Sequence, residues 1–233
     1  MLTIILACGD SHRFKQFSLI PKQFLKFSVT KDGLPAQMWE NTLAGFSTTS
    51  DTVVALRLDH QNYVETPVRK DIMAAWLGST RGQADTLYRA LEYSTIYDQE
   101  VMVVNCDQGF APGILDRLAL AGRNSWLCTA LTFPAEPQEA ARWSYVNSHP
   151  HFQFAAEKQA VGTHALAGAY YFPNSKMLAK NLIRLLNGTT STEPYISQVY
   201  DHFIGNKLSV PIRRKDWYDW GTPEAFTSFL GSR

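Results

Sequence analysis

Residues 2–25 read LTIILACGDSHRFKQFSLIPKQFL, from Leu2 to Leu25. Leu2 to Ala7 is an apolar run rich in isoleucine and leucine. It is short for a helix and too apolar for an edge strand, which predicts a buried central strand. Cys8, Gly9, Asp10 and Ser11 then break the run with small, turn-forming residues. Basic side chains follow at His12, Arg13, Lys15 and Lys22. A buried strand, a glycine turn and a set of cations is how an α/β protein builds an anion site at the C-terminal end of its sheet. A first strand followed by an ordinary loop with solvated charges would carry the same letters. What decides between them is the rest of the chain.

Working outward, residues 36–46 have helical spacing, with Met38, Trp39, Leu43 and Phe46 on roughly one face. Residues 52–56 (TVVAL) form a β-branched strand. A short apolar run at 72–77 fits strand or helix. A turn at 78–82 leads into a helix over 83–97. Residues 101–105 (VMVVN) are a second buried strand, and 112–121 a helix with Pro112 in its first turn. This alternation implies a largely parallel sheet with helices on both faces.

The second half is richer in strands, at 126–133, 143–146, 152–157 and 165–172, several of them suited to antiparallel addition. Helices are expected at 174–186 and 193–204, a strand at 208–213 and a closing helix at 223–230. No Gly/Ser-rich or Pro-rich linker and no repeat divides the chain. The expectation is one α/β domain over 1–233, a Rossmann-like three-layer α/β/α unit with a mixed, mainly parallel central sheet.

The 233 residues carry a formal net charge of +1, with 45% apolar and 18% charged residues. Those proportions suit a globular chain with a full core. Near-zero net charge argues against non-specific nucleic-acid binding. No apolar run approaches the ~20 residues that span a bilayer, and no basic region precedes the first strand as in a signal peptide. Cys8, Cys106 and Cys128 each lie in or beside an expected strand. They fit reduced thiols of a cytoplasmic protein better than a disulfide frame.

Two acids stand out. Asp107 directly follows a buried strand, the position where an α/β sheet presents ligands, and strand-end acids there often serve Mg²⁺. Asp is also common as a turn cap. Asp219 lies between Trp217 and Trp220, just before Gly221-Thr222-Pro223-Glu224. An N-cap at Thr222 with Pro223 behind it explains the last three residues. It leaves the Asp219 carboxylate needing a partner. Gly82-Gln83 stands at a loop-to-helix junction, where glycine permits close approach of a ligand; a plain turn explains it equally. Glu157-Lys158 ends a strand and reads, alone, as a solvated ion pair. Glu193 opens the expected helix at 193–204 and suits the helix dipole or a ligand hydroxyl. His149-Pro150-His151 has no zinc-spaced partner, and Arg213-Arg214-Lys215 is a short, isolated basic cluster.

Taken together, these stretches resemble the nucleotidyltransferases that activate sugar phosphates. Their signature, LxxGxGxR followed by PKxxL, is matched by Leu6, Gly9, Arg13, Pro21, Lys22 and Leu25. Ser11 stands where the family has its second glycine, and serine takes positive φ less readily. The text NCDQ at 105–108 resembles the family's strand-end aspartate, 217–224 its WxDxGTPE segment, and Glu157-Lys158 its EK pair. The resemblance is closest to compact enzymes of capsule and other surface-glycan pathways.

The resemblance implies catalytic roles for Arg13, Lys22, Asp107 and Asp219, with Mg²⁺ on Asp107 and Asp219. It implies nucleotide binding by Leu6, Ala7, Gly9, Ser11, Arg13, Gly82, Gln83 and Asp107, within a half covering about 1–122. Acceptor binding falls to Glu157, Lys158, Gly168 and Glu193, in a half covering about 123–233. Trp143, Tyr145, Tyr170 and Tyr195 are expected to shape that pocket. The implied substrates are a nucleoside triphosphate (CTP, UTP or dTTP) and a small phosphorylated acceptor, with no nucleic acid or membrane partner and a homo-oligomer as one possible assembly. A metal-dependent glycosyltransferase is disfavoured because Gln108 and Gly109, not a second acid, follow Asp107. A non-catalytic nucleotide-binding domain is disfavoured because the key charges are all present.

Overall fold

The computed structural model describes residues 1–29, 35–47, 51–64, 72–94, 98–149, 152–190, 193–203 and 207–232. Pro150 and His151 of the His-Pro-His stretch lie outside them. The first half contains β1 (Leu2–Ala7), β2 (Lys26–Val29), β3 (Pro35–Gln37), α1 (Met38–Thr42), β4 (Asp51–Arg57), β5 (Ile72–Leu77), α2 (Gln83–Tyr93), β6 (Val101–Asn105), β7 (Gln108–Phe110) and α3 (Ile114–Ser125). The second contains β8 (Cys128–Pro134), β9 (Ser144–His149), β10 (Phe152–Glu157), β11 (His164–Phe172), α4 (Ser175–Gly188), α5 (Ile196–Asp201), β12 (Lys207–Pro211), β13 (Trp217–Asp219) and α6 (Pro223–Gly231).

Nine strands form one sheet in the order β10-β9-β11-β6-β1-β4-β5, with β8 on β11 and β12 on β8. β5, β4, β1 and β6 run parallel. β11 then enters antiparallel beside β6, and β8 and β9 pair antiparallel with it. The sheet is mixed, with a parallel half that ends where the cleft opens.

β1 is the inner strand, held on one side by β4 and on the other by β6. Its side chains alternate between two cores. Leu2, Ile4 and Leu6 pack with α2, α4 and α5 residues such as Leu87, Leu182 and Val199. Ile5 and Ala7 pack on the opposite face with Trp39 and Leu43. α3 covers that second face further along, through Leu115 and Leu118 against Val104 and Phe133. Ile4 and Ile5 are both fully buried, which stabilises by about 2 kcal/mol each. Helices thus cover both faces, giving three layers.

Two expectations change and one open reading is resolved. The stretch 36–46 is not one helix: β3 pairs with β2, and Gln37 caps the short α1 that follows, its backbone N–H donating to Glu40 Oε2 at 2.7 Å. The run 72–77 is a parallel strand on β4. The helix expected from 193 begins at Ile196, so Glu193 lies ahead of it. Asn174 and Thr222 cap α4 and α6 through Met177 N and Ala225 N. Cys8, Cys106 and Cys128 are buried free thiols. No described helix is long and apolar enough to cross a membrane.

Candidate active site

The C-terminal ends of β1 and β6 open into a cleft of about 1130 Å³. Its wall includes Leu6, Gly9, Ser11, Arg13, Lys22, Gly82, Gln83, Asp107, Glu157, Lys158, Gly168, Glu193 and Asp219. Residues from both ends of the chain therefore meet in one cavity. Ala7 does not line it: that residue is fully buried on the opposite face of the sheet. Tyr145 does not line it either. It is fully buried, and its hydroxyl donates to the Glu136 carbonyl at 2.5 Å. Trp143, Tyr170 and Tyr195 do.

The loop after β1 turns at Ser11, whose φ of 54° lies in the left-handed region. A non-glycine residue there costs about 1 kcal/mol or more. Its hydroxyl is used locally, accepting the Lys22 backbone N–H at 3.1 Å. Lys22 is thereby carried under the loop, and its Nζ meets Asp107 Oδ2 at 2.5 Å. The two side chains are only 16% and 19% exposed. Burial disfavours both charges, but each partner outweighs it, so Lys22 is held above and Asp107 below its ordinary pKa. Arg57, at the end of β4, pairs with Asp10 of the loop and with Asp59.

Asp219 reaches Asp107 through backbone pairing. β13 lies antiparallel to β7, with Asp219 opposite Gln108, and Trp220 N donates to Asp107 O at 2.9 Å. Both carboxylates approach Gly221. A Cβ on that glycine would stand 3.0 Å from Asp219 Oδ1 and 3.3 Å from Asp107 Oδ2. Burial pushes the Asp219 carboxyl above its usual range, against a hydrogen bond from Gly221 N, and the charge on Asp107 adds to the rise. Arg142 Nη2 answers part of this at 3.0 Å from Asp219 Oδ2. Two hard oxygen donors that crowd each other fit a divalent cation such as Mg²⁺, which takes one or two carboxylates and completes its shell with water and phosphate. Among the described residues no group of three or more His, Cys, Asp or Glu side chains gathers as a metal cage.

The far wall is built by β10, β11 and the segment before α5. Glu157 accepts from Ser197 Oγ at 2.9 Å and from Ser144 Oγ. Lys158, itself at φ 55°, directs Nζ to Tyr195 OH at 3.3 Å. Tyr195 OH donates to Glu193 Oε2 at 2.7 Å. Gly82 has φ +155° and sits so close to this segment that a Cβ would stand 2.9 Å from Pro194 O. The Gln83 side chain accepts from Ile196 N at 3.5 Å.

Gly168 marks a break in the β11–β8 register. Its φ is +75°, and a Cβ would stand 2.9 Å from Gln108 Cγ and 3.0 Å from Asn105 Nδ2. Gly168→Ala is expected to lose about 2 kcal/mol through backbone strain and overpacking, read as a Tm lower by roughly 4–8 °C. An unchanged Tm would show that the strand relaxes freely there.

Sequence reasoning missed Arg142, whose partner Asp219 is 77 positions away. It also missed Arg57 and Asp10, although an arginine ending a β-branched strand was a usable signal. Asn105 Oδ1 is buried with no hydrogen-bond partner, beside the cleft that the residue lines.

Solved structures share this fold. A nucleoside-diphosphate-sugar pyrophosphorylase from Vibrio cholerae RC9 superposes with a TM-score of 0.74 at 20% identity, over 99% of this chain and 100% of that one. A Bacillus anthracis protein provisionally assigned as a glucose-1-phosphate thymidylyltransferase gives 0.78 at 15% identity, over 100% and 95%. The inositol-1-phosphate CTP transferase of T. maritima gives 0.71 at 13% identity, over 99% and 94%. No curated protein sequence matches the chain significantly. The nucleotidyl transferase family model, however, matches residues 2–230. With a mixed α/β sheet, a cation-rich loop after its first strand and convergent carboxylates across the cleft, the chain belongs to the nucleotidyl transferase family.

Proposed function

We propose that the chain transfers an NMP group from a nucleoside triphosphate (CTP, UTP or dTTP) to a small phosphorylated acceptor such as a sugar 1-phosphate, releasing pyrophosphate. The single observation that carries this reading is the shared cleft. It joins the loop at 9–22 and the paired carboxylates to the wall of Glu157, Lys158 and Glu193. The nucleotide half covers about 1–122 and the acceptor half about 123–233. The setting is the cytoplasm, the pathway one of surface-polysaccharide precursors.

An oxygen of the acceptor's phosphate attacks the nucleotide's α-phosphorus in line. The bond from that phosphorus to the bridging oxygen breaks, and pyrophosphate leaves with the electron pair. The nucleophile is already an anion, so positioning and charge neutralisation matter more than a general base. Mg²⁺ held by Asp107 and Asp219 would supply neutralisation of charge on the nucleotide phosphates. Lys22 holds phosphate as a point charge, and Lys158 orients the acceptor. Arg13, exposed at the cleft wall, steadies the leaving pyrophosphate with its planar fork.

Arg13→Ala is expected to lower kcat by about a hundredfold with a smaller change in KM. A change confined to KM would make Arg13 a ground-state binder. The reaction itself is tested by pyrophosphate release with Mg²⁺, pairing five nucleoside triphosphates with hexose 1-phosphates, phosphocholine and glycerol phosphate. Release with one base and one acceptor supports the reading. Folded protein that neither releases pyrophosphate nor binds any nucleotide would overturn it.

A further inference from the structure

Beneath the loop that turns at Ser11 lies Gln23, whose side chain is 0% exposed. Its amide makes three contacts. Oε1 accepts from Ser11 Oγ at 2.8 Å. Nε2 approaches the Gly9 carbonyl at 3.3 Å and His60 Nδ1 at 3.1 Å. The Gly9 carbonyl can only accept, so the amide nitrogen must face it; the flipped amide would set oxygen against oxygen. The second amide proton is then left for His60, and a ring nitrogen that receives a proton in a hydrogen bond carries none of its own. One chain of donors and acceptors therefore fixes the amide orientation, the His60 tautomer and the Ser11 hydroxyl together.

The need for such a brace lies in the backbone at Ser11. Ser11 occupies a left-handed position that glycine would take at no steric cost. Its hydroxyl links Gln23 to the backbone N–H of Lys22. His60 comes from the segment after β4 and packs edge-on against Phe24 and Tyr63.

We propose that Gln23 and His60 are positioning residues for the anion-binding loop: His60 Nδ1 accepts from the Gln23 amide, and Gln23 in turn holds Gly9 and Ser11 in the shape that binds nucleotide. This rests on the reading of the cleft as a nucleotide site. A proton on Nδ1 would face the Gln23 N–H and replace attraction by repulsion, releasing the loop. The charged groups around His60 among the described residues are Asp59, whose carboxylate stands 4.0 Å from Nε2, Arg57 on β4, and Asp10 and Lys15 on the loop. Burial holds His60 below its ordinary pKa; Asp59 opposes that and Arg57 adds to it. The ring is therefore neutral at pH 7, and the loop is released only in acid.

The test compares nucleotide KM and kcat from pH 5 to pH 8 for the parent enzyme, His60→Asn and His60→Leu. Asparagine places a non-titrating carbonyl acceptor near Nδ1. The KM ratio of parent to His60→Asn is expected to rise about tenfold as pH falls, the triphosphate's own titration cancelling in the ratio. His60→Leu, which strands an amide N–H, is expected to hold KM about tenfold above that of His60→Asn at every pH, with kcat little changed. A pH-independent parent-to-Asn ratio would overturn the proposal. An independent reading is the nitrogen NMR spectrum of the histidine ring. The Nε2–H tautomer of His60 supports the brace, whereas an Nδ1–H tautomer removes it even in a fully active enzyme. Absence of nucleotide binding with the Nε2–H tautomer intact would instead sink the reading of the cleft, and the positioning role with it.

Discussion

Asp107→Asn should lower turnover at least about a thousandfold, some 4 kcal/mol of transition-state stabilisation, and should also weaken the fold. The second effect follows from Lys22, which stays buried with its countercharge removed. Breaking a buried pair from one side costs about 3 kcal/mol. The pH dependence carries a definite sign. The Asp107 carboxyl sits below its ordinary value because Lys22 outweighs the effect of burial. An acid depressed in the folded state adds stability above its unfolded pKa and loses it as pH falls through the folded one. The Tm gap between parent and Asp107→Asn should therefore be wide at pH 7 and narrow steadily below about pH 4. A gap constant with pH would remove the ion pair as its cause, and activity close to the parent's would remove Asp107 from the chemistry.

Asp219→Asn should lower turnover by a similar factor, about a hundred to a thousandfold, yet leave Tm unchanged or raise it. Burial and then the neighbouring Asp107 charge push this carboxyl above its ordinary range. A raised acid binds its proton more tightly in the folded state, so its ionised form costs stability at neutral pH. That cost disappears as pH falls through the raised value. Asparagine removes it at every pH. Arg142 loses its partner, but the arginine is 46% exposed, and pairs open to solvent contribute little. Two variants with the same loss of activity and opposite thermal shifts would be the signature of a carboxylate pair in which only one member is paid back by a buried cation. Equal destabilisation of both would reject that asymmetry. Carboxylates held at a cost to stability are a common property of sites built for function.

The parts of the fold legible in the sequence are those whose signal is local. β1 is six consecutive buried residues running straight into a glycine turn. The cap at Thr222 is likewise local chemistry. β7 and β13 escaped notice because each is three residues long and owes its existence to the other. Residues 36–46 misled because apolar spacing alone favours a helix, while β3 is made by its partner β2 and Gln37 starts the helix late. The cleft residues implied by the motifs came together apart from Ala7, whose place in strand alternation sends its methyl to the other face, and Tyr145, which is fully buried and bonds the Glu136 carbonyl. Arg142 and the Gln23–His60 contact have no local pattern at all: their meaning lies in partners distant in the chain.

The pairing of β13 with β7 has a consequence for the order in which the molecule is made. A ribosome delivers residue 107 well before residue 219, and Asp219 is brought beside Asp107 by the β13–β7 ladder and the adjoining Trp220 N to Asp107 O bond. A nascent chain with its first sheet already formed thus holds Lys22 against Asp107 but lacks the second carboxylate. Lys22 keeps the unfinished site neutral during that interval. When β13 zips onto β7 the second carboxylate joins the first, so the divalent-ion site proposed above would be completed only after residue 219 has been delivered.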